Sequence, residues 1–372
     1  MRKSIAIIIT SILVLSGCNK QQSVSDRLLN EVEKAIAINP DSASNLLKGI
    51  SSPEKLDNKT FARWCMLSGK ITDEIFNSIL PTYQLERAYD WYSSHGSPDE
   101  QVQILIYLGR SYFADGDYDK AMSIYTNALD IAEKNKLNNL TGYTYSYIGD
   151  LYGEKFMRTE AIKRYKAAAE CFKKENNTDS YACALRDVGR EYACIDSLSR
   201  ALKILTIADS VARNTKNIEV TASIDNALGN IYAMQNKYDK AEEYFLKALV
   251  GRETMPDYMA LIDLYIASGA INKAQELLSK ILQDNPKYTY SIKYLYYQIY
   301  NEEKNYKEAL TNLKEYVEIT DSIIYADNQS KILNIESKYN HLKISKEVDR
   351  LKIKQQSYII VLVICIGILL LI

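Results

Sequence analysis

Glycine and proline are scarce in this chain, with 14 and 6 among 372 residues. So few punctuating residues argue against many short strands and for long helices with short connections. Histidine is almost missing. His95 sits in a Ser-His-Gly turn, His341 lies far downstream, and neither has a neighbouring Cys, Asp or Glu at ligand or triad spacing. The loop signatures of phosphate binders, dinucleotide binders, serine hydrolases and zinc proteases are lacking too. These absences argue against an enzyme, and no cofactor or metal site is expected. Neither charge is in surplus: 46 Lys and Arg face 47 Asp and Glu, a net charge of −1. Without a basic field there is nothing to draw in nucleic acid. Phenylalanine and tryptophan number 6 and 2, whereas tyrosine reaches 30, so aromatic contacts are built almost wholly from tyrosine.

The two ends depart from this mixed composition. Arg2 and Lys3 precede an apolar stretch from Ile5 to Leu15, too short to span a bilayer and flanked as an export signal is. Leu15-Ser16-Gly17-Cys18, followed by polar Asn19-Lys20-Gln21-Gln22, resembles the lipobox of bacterial lipoproteins. That resemblance implies a signal peptide over 1–17 and diacylation of the Cys18 sulfur, with palmitate as an expected chain. At the other end, Tyr358 to Ile372 is apolar without interruption. As a helix it reaches only about 22 Å, short of the roughly 30 Å hydrocarbon core. Its lack of any polar face nevertheless favours a C-terminal membrane helix over a buried one. Between the ends, Cys65, Cys171, Cys183 and Cys194 read as buried free thiols. Cys183 and Cys194 lie about 16 Å apart on one helix, too far to bond.

Internal periodicity fixes the architecture. Gly109, Gly149, Gly189 and Gly229 recur every 40 residues. A large apolar residue precedes each: Leu108, Ile148, Val188 and Leu228. Tyrosine follows three residues on, at 112, 152, 192 and 232. Alanines come twelve and nineteen after each glycine, from Ala121 and Ala128 to Ala241 and Ala248. Tyr125, Tyr165, Leu205 and Phe245 stand four after the first alanine. Small residues let two antiparallel helices approach, and the large ones fill the space to the next pair. This frame matches the tetratricopeptide pattern position by position, with a longer period than the usual 34 residues. The expected fold is thus all-α, a tetratricopeptide-like helical-repeat solenoid.

The frame weakens on both sides. Tyr258, Leu261, Tyr265, Ala274 and Leu278 fit a shorter unit with Ile262 in the glycine position, and Tyr296, Tyr300, Ala309 and Leu313 fit another with Tyr297 there. Residues 18–100 read as a divergent helical cap, 101–250 as four 40-residue units and 251–316 as two shorter ones. Over 317–357 the frame disappears and a long juxtamembrane helix is expected. Ile332, Ile335, Tyr339 and Leu342, then Ile344, Val348 and Leu351, carry interrupted coiled-coil spacing. A homodimer through this helix and a single solvated helix both fit. Residues 358–372 are the expected transmembrane segment.

In tetratricopeptide arrays the first helix of each pair lines a concave groove, and the residues three before and one after the glycine face it. Here these are Ile106 and Arg110, Ser146 and Asp150, Arg186 and Arg190, Asn226 and Asn230. Arginine forks beside amides suit a carboxylate or an extended peptide, and ion-paired groove walls fit the same residues. The expected partner is a protein or peptide in the groove, with membrane lipid at both ends. The whole order resembles the sensor half of bacterial tetratricopeptide transmembrane regulators, whose output domain follows the membrane helix. The expected function is therefore a membrane-anchored interaction protein serving as a sensor, or alternatively a lipoprotein scaffold for an envelope complex. Lipidation at Cys18 would place the repeats in the periplasm, although Arg350, Lys352 and Lys354 run against the positive-inside rule in that orientation.

Overall fold

A computed structural model describes residues 24–75, 79–284 and 289–325, together with 329, 350–351, 354 and 357–358. The signal peptide, Cys18, most of the heptad-like seam and the apolar stretch from 359 lie outside the described residues. Among the described residues there is no strand. Helices follow in order: α1 over 24–36, then α2 (Pro40–Lys48), α3 (Asn58–Ile75), α4 (Thr82–His95), α5 (Pro98–Ala114) and α6 (Tyr118–Lys134). Next come α7 (Asn138–Glu154), α8 (Arg158–Lys174), α9 (Thr178–Cys194), α10 (Leu198–Ala212), α11 (Ile218–Met234) and α12 (Tyr238–Gly251). Then follow α13 (Met255–Ala267), α14 (Ile271–Asp284), α15 (Thr289–Glu302) and a helix over 306–325. The described residues up to 312 form one compact unit and those from 313 on a second. The first is a helical-repeat solenoid in which each helix packs on its neighbours in sequence.

The 40-residue period has a simple origin. Helices α5 to α9 are each 17 residues long, and three-residue connections separate them. The middle residue of each connection adopts a left-handed φ: Gly116 at 78°, Lys136 and Phe156 at 58°, Asn176 at 54° and Asp196 at 57°. The amide after it reaches back to the helix just ended, as Asp117 N donates to the Tyr112 carbonyl at 2.9 Å and Met157 N to that of Tyr152 at 2.8 Å. That closure satisfies carbonyls a helix end leaves open and turns the chain by a fixed angle. Starts are marked as well. Ser97 and Glu100 form a reciprocal capping box, and Asp117, Asn177 and Asn217 cap α6, α9 and α11.

The repeat glycines do what their spacing predicts. A Cβ added at Gly109 would lie 2.3 Å from the Tyr125 ring, and at Gly149, Gly189 and Gly229 it would meet Tyr165, Leu205 and Phe245 at 2.6–2.7 Å. The second helix therefore lays its bulky side chain directly on the backbone of the first. Ala121, Ala128, Ala161 and Ala168 are fully buried in the same seams. The cap continues this ladder further than its sequence suggests: Gly69 on α3 stands one period before Gly109, but its missing Cβ leaves room for Tyr107 of the following pair.

One expectation needs adjustment. All four described cysteines are free, but only Cys65 is buried; Cys171 and Cys183 are half-buried and Cys194 is exposed where α9 ends. Burial pushes the Cys65 thiol far above its ordinary pKa. Among the described residues no helix is long and apolar enough to cross a membrane, and the transmembrane segment expected over 358–372 lies, from 359 on, outside them.

Candidate functional site

The first helices of successive pairs, α3, α5, α7 and α9, present one continuous face, and two adjoining cavities open on it. The first, of about 450 Å³, lies among α3, α5 and α7. Its walls are Ile106, Tyr107, Leu140, Tyr143 and Tyr147, and its polar groups are Asp73, Gln103 and Arg110. Arg110 is ion-paired with Asp73, and the Tyr107 hydroxyl donates to the same carboxylate at 2.9 Å. The guanidinium carbon of Arg110 lies 5.5 Å from the Tyr147 ring and 5.9 Å from that of Tyr107. Tyr147 in turn stacks on Tyr125 at 5.7 Å. The charges of this cavity are internally matched, and what it offers a ligand is tyrosine and aliphatic surface.

The second cavity, of about 520 Å³, lies among α5, α7 and α9, with Arg158 and Tyr165 reaching in from α8. It brings together three of the expected residues, Asp150, Arg186 and Arg190. Arg186 is already committed. Its Nε and one terminal nitrogen donate to the two Asp187 oxygens at 2.9 and 3.1 Å, and the other terminal nitrogen donates to Ser223 Oγ at 2.9 Å. Burial works against this charge, but Asp187 more than offsets it and holds the guanidinium above its ordinary pKa. Arg158 meets Glu191 at 3.3 Å, and Arg190 approaches Asp187 at 3.8 Å with its side chain 66% exposed.

Asp150 differs from its neighbours. Its carboxylate accepts the Tyr165 hydroxyl at 2.7 Å, yet among the described residues no Lys or Arg forms an ion pair with it. The side chain reaches solvent through the groove while protein surrounds it on most sides. That surrounding pushes its pKa up to about 6; the Tyr165 hydrogen bond lowers it, Asp187 raises it further, and Arg186 and Arg190 pull it down.

The remaining expected residues fall elsewhere. Asn226 donates to Asp257 Oδ1 at 2.9 Å, and Asn230 donates back to Asn226. Both belong to a polar junction ahead of α13 rather than to either cavity. The arginine forks offered as ligand contacts at 110 and 186 thus have partners within the chain. Sequence reasoning missed those partners and the tyrosines between them, although an offset signalled them. Asp73 with Arg110, Tyr143 with Ser180 and Arg186 with Ser223 are each 37 residues apart. That offset, slightly less than one period, marks residues facing each other across successive first helices. Two before each repeat glycine the residue also changes from Tyr107 and Tyr147 to Asp187, which separates an aromatic step from an ionic one. Among the described residues no cluster of His, Cys, Asp or Glu could hold a metal ion. A third cavity, of about 590 Å³, opens on the second-helix side among Val250, Leu246, Leu277 and Lys280.

Comparisons with known proteins agree with the helical-repeat fold. Models of the tetratricopeptide repeat match residues 100–174 and 221–255. Among solved structures, a Rap protein complexed with Competence and Sporulation Factor is 18% identical, with a TM-score of 0.62 over 82% of this chain and 88% of that one. NprR in complex with its cognate peptide NprX is 17% identical over 81% of this chain and 94% of that one, with a TM-score of 0.50. A tetratricopeptide repeat protein from Parabacteroides merdae ATCC 43184 is 16% identical over 69% and 93%, also with a TM-score of 0.50. At these identities the likeness is one of fold. No curated protein sequence matches the chain.

Proposed function

We propose that this chain, a tetratricopeptide-repeat protein, is a membrane-anchored receptor that holds a peptide or protein segment along the face of α5, α7 and α9. The observation that carries the reading is the pair of adjoining cavities on that face, about 450 and 520 Å³, each large enough for a side chain and open to its neighbour's helix. Two structures of similar fold are described as complexes, one with Competence and Sporulation Factor and one with a cognate peptide, which supports the same use of the fold here. Anchoring is part of the proposal: lipid on Cys18 and insertion of residues 358–372 hold the repeats at the periplasmic face of a bacterial envelope membrane. Occupancy of the groove would then bias the helix expected over 317–357 and pass a signal onward.

Random-peptide display against the full-length protein in detergent micelles tests the binding function. Enriched peptides that lose binding on Ser146→Trp, which plugs the groove at the second cavity, support it. Enrichment unaffected by that plug, or none at all, overturns it. Circular dichroism establishes that the variant folds. Proteolysis in spheroplasts tests the anchoring: digestion of the repeats is expected, and full protection overturns the periplasmic placement.

A further inference from the structure

The two cavities differ in chemistry, and the difference specifies a ligand. In the second, the arginines have carboxylates: Arg186 with Asp187, Arg158 with Glu191 and Arg190 loosely with Asp187. Counting Asp150, Glu154, Asp187 and Glu191 against Arg158, Arg186 and Arg190, the lining carries one negative charge in excess. Asp150 stands in the groove with a tyrosine hydroxyl as its hydrogen-bond partner, and among the described residues no Lys or Arg forms an ion pair with it. An opposite charge arriving there gains a charge-assisted hydrogen bond without breaking an existing ion pair, whereas an arriving carboxylate finds Arg186 and Arg158 already held by Asp187 and Glu191 and only the exposed Arg190 loosely paired.

A second observation points to the same place. Phe156 occupies the left-handed position of the α7–α8 connection at φ 58°. The equivalent positions hold Gly116, Lys136, Asn176, Asp196 and Asn236, small, polar or flexible residues of which glycine and asparagine suit that conformation best. A bulky aromatic is strained there, and it is also 80% exposed, so no burial compensates for the strain. Its ring stands on the rim of the second cavity beside Arg158, 5.0 Å from the guanidinium carbon, and Phe113 lines the same cavity from α5. Strain without burial suits a contact made with something outside the chain. Aromatic rings lining the same cavity as a carboxylate suit a long basic side chain, whose methylenes lie on the rings while its head reaches the acid.

We infer that the groove takes an extended peptide segment carrying a lysine or arginine at Asp150 and an apolar or aromatic residue in the tyrosine-lined cavity about four residues away. The spacing follows from the fold. The two cavities are offset by roughly 10 Å along α7, at about 1.5 Å per helical residue, and by one helix-to-helix step of roughly 9 Å. Together these make about 13 Å, or roughly four residues of extended chain at about 3.3 Å each. The inference rests on the groove being a peptide site, and it adds polarity, residue types and spacing.

Capped, fluorescein-labelled peptides in a glycine-serine background, read by fluorescence polarisation on the full-length protein in micelles, test it. One carries leucine and, four residues on, lysine. The others replace lysine by glutamate, or leucine by serine. The leucine–lysine peptide is expected to bind at least tenfold more tightly than the glutamate peptide, and Asp150→Lys is expected to invert that preference. Asp150→Asn should remove the preference while leaving binding through the tyrosine cavity. Binding of the leucine–lysine peptide should weaken as pH falls below about 6, where Asp150 takes up a proton; Tyr165, Arg186, Asp187, Arg190 and Glu154 surround it throughout. A preference for glutamate, or a lysine preference that survives Asp150→Lys, overturns the inference. If peptides found by display bind in a manner blocked by Ser146→Trp but carry no basic residue, the inference fails while the receptor reading stands. If neither kind binds, both fail.

Discussion

The 40-residue units and the shorter unit of α13 and α14 solve one packing problem with different residues. In the long units a glycine faces a large side chain sixteen residues on, as Gly109 faces Tyr125 and Gly229 faces Phe245. In the short unit Ile262 and Leu278 occupy those positions, both fully buried. Volume is shared between the two helices instead of concentrated on one, and the pair meets along a shorter, less closely packed seam. Glycine, then, is the condition for laying an aromatic ring against a neighbouring backbone, and the fold persists without it when both partners are aliphatic. Gly109→Leu breaks this comparison most severely. Overpacking at a site with ring atoms at 2.3 Å should cost about 3 kcal/mol or more, read as a large fall in the thermal midpoint. Adding Tyr125→Ala should return part of it. Ile262→Leu, which keeps volume, should cost under about 1.5 kcal/mol. Equal effects at 109 and 262 would sink the account.

A buried polar knot joins the regions beside a shared apolar cluster in which Phe245 packs with Leu261 and Leu278. Asp257 is fully buried and accepts from Arg252 at 2.9 and 3.0 Å and from Asn226 at 2.9 Å. It thereby ties the start of α13 to α11. Asp257→Ala leaves a partly buried guanidinium and an amide without their acceptor, and because Arg252 keeps some access to water the loss should be about 2–3 kcal/mol. Differential scanning calorimetry should show α13 onward melting ahead of the long units; one unchanged cooperative transition would count against the knot.

Within the last long unit, Asp225 is buried and bound to Arg213 at 2.6 Å. Burial raises its pKa to about 6, against the lowering effect of Arg213. For an acid with a raised folded-state pKa, the stabilising contribution is complete below the unfolded value of 3.8 and is lost as pH rises through about 6. Wild type should therefore gain on Asp225→Asn by about 1–2 kcal/mol on moving from pH 7 to pH 5. Paired melts at the two pH values measure this, and a constant difference would show that Arg213 compensates the burial fully.

Much of this fold could be read in the chain, because period and packing are local. Glycine, alanine and tyrosine at fixed offsets demanded helix pairs, and the three-residue connections follow from a 40-residue repeat. The groove was less legible for a physical reason. The positions three before and one after the glycine lie within one repeat, whereas several of their partners come from an adjacent repeat at an offset of 37, as Asp73 does for Arg110 and Ser223 for Arg186. A side chain facing a groove is a ligand contact only if nothing in the array claims it first. Asp150 emerged as available because its neighbours' charges were matched elsewhere, and single-residue patterns do not encode that.

Phe156 separates what a residue does for the repeat from what it does for the groove. As a structural connector it is a poor choice: the left-handed conformation at φ 58° strains it, and its ring, 80% exposed, buries little. Gly116 supplies the same turn without strain one period earlier. If the turn were its only task, Phe156→Gly would simply be an improvement. The substitution should stabilise the protein by about 1 kcal/mol, because a bulky residue leaves an unfavourable backbone region, visible as a rise of a few degrees at most in the thermal midpoint. It should also weaken the leucine–lysine peptide several-fold by removing an aromatic wall of the cavity that holds Asp150. Phe156→Leu keeps the apolar rim and the strain, and should retain more of the binding without the gain in stability. Stability rising while binding falls would place Phe156 with the ligand rather than with the turn. A variant more stable and equally good at binding would return it to the connector and leave the charge of Asp150 as the sole basis for selecting a basic peptide.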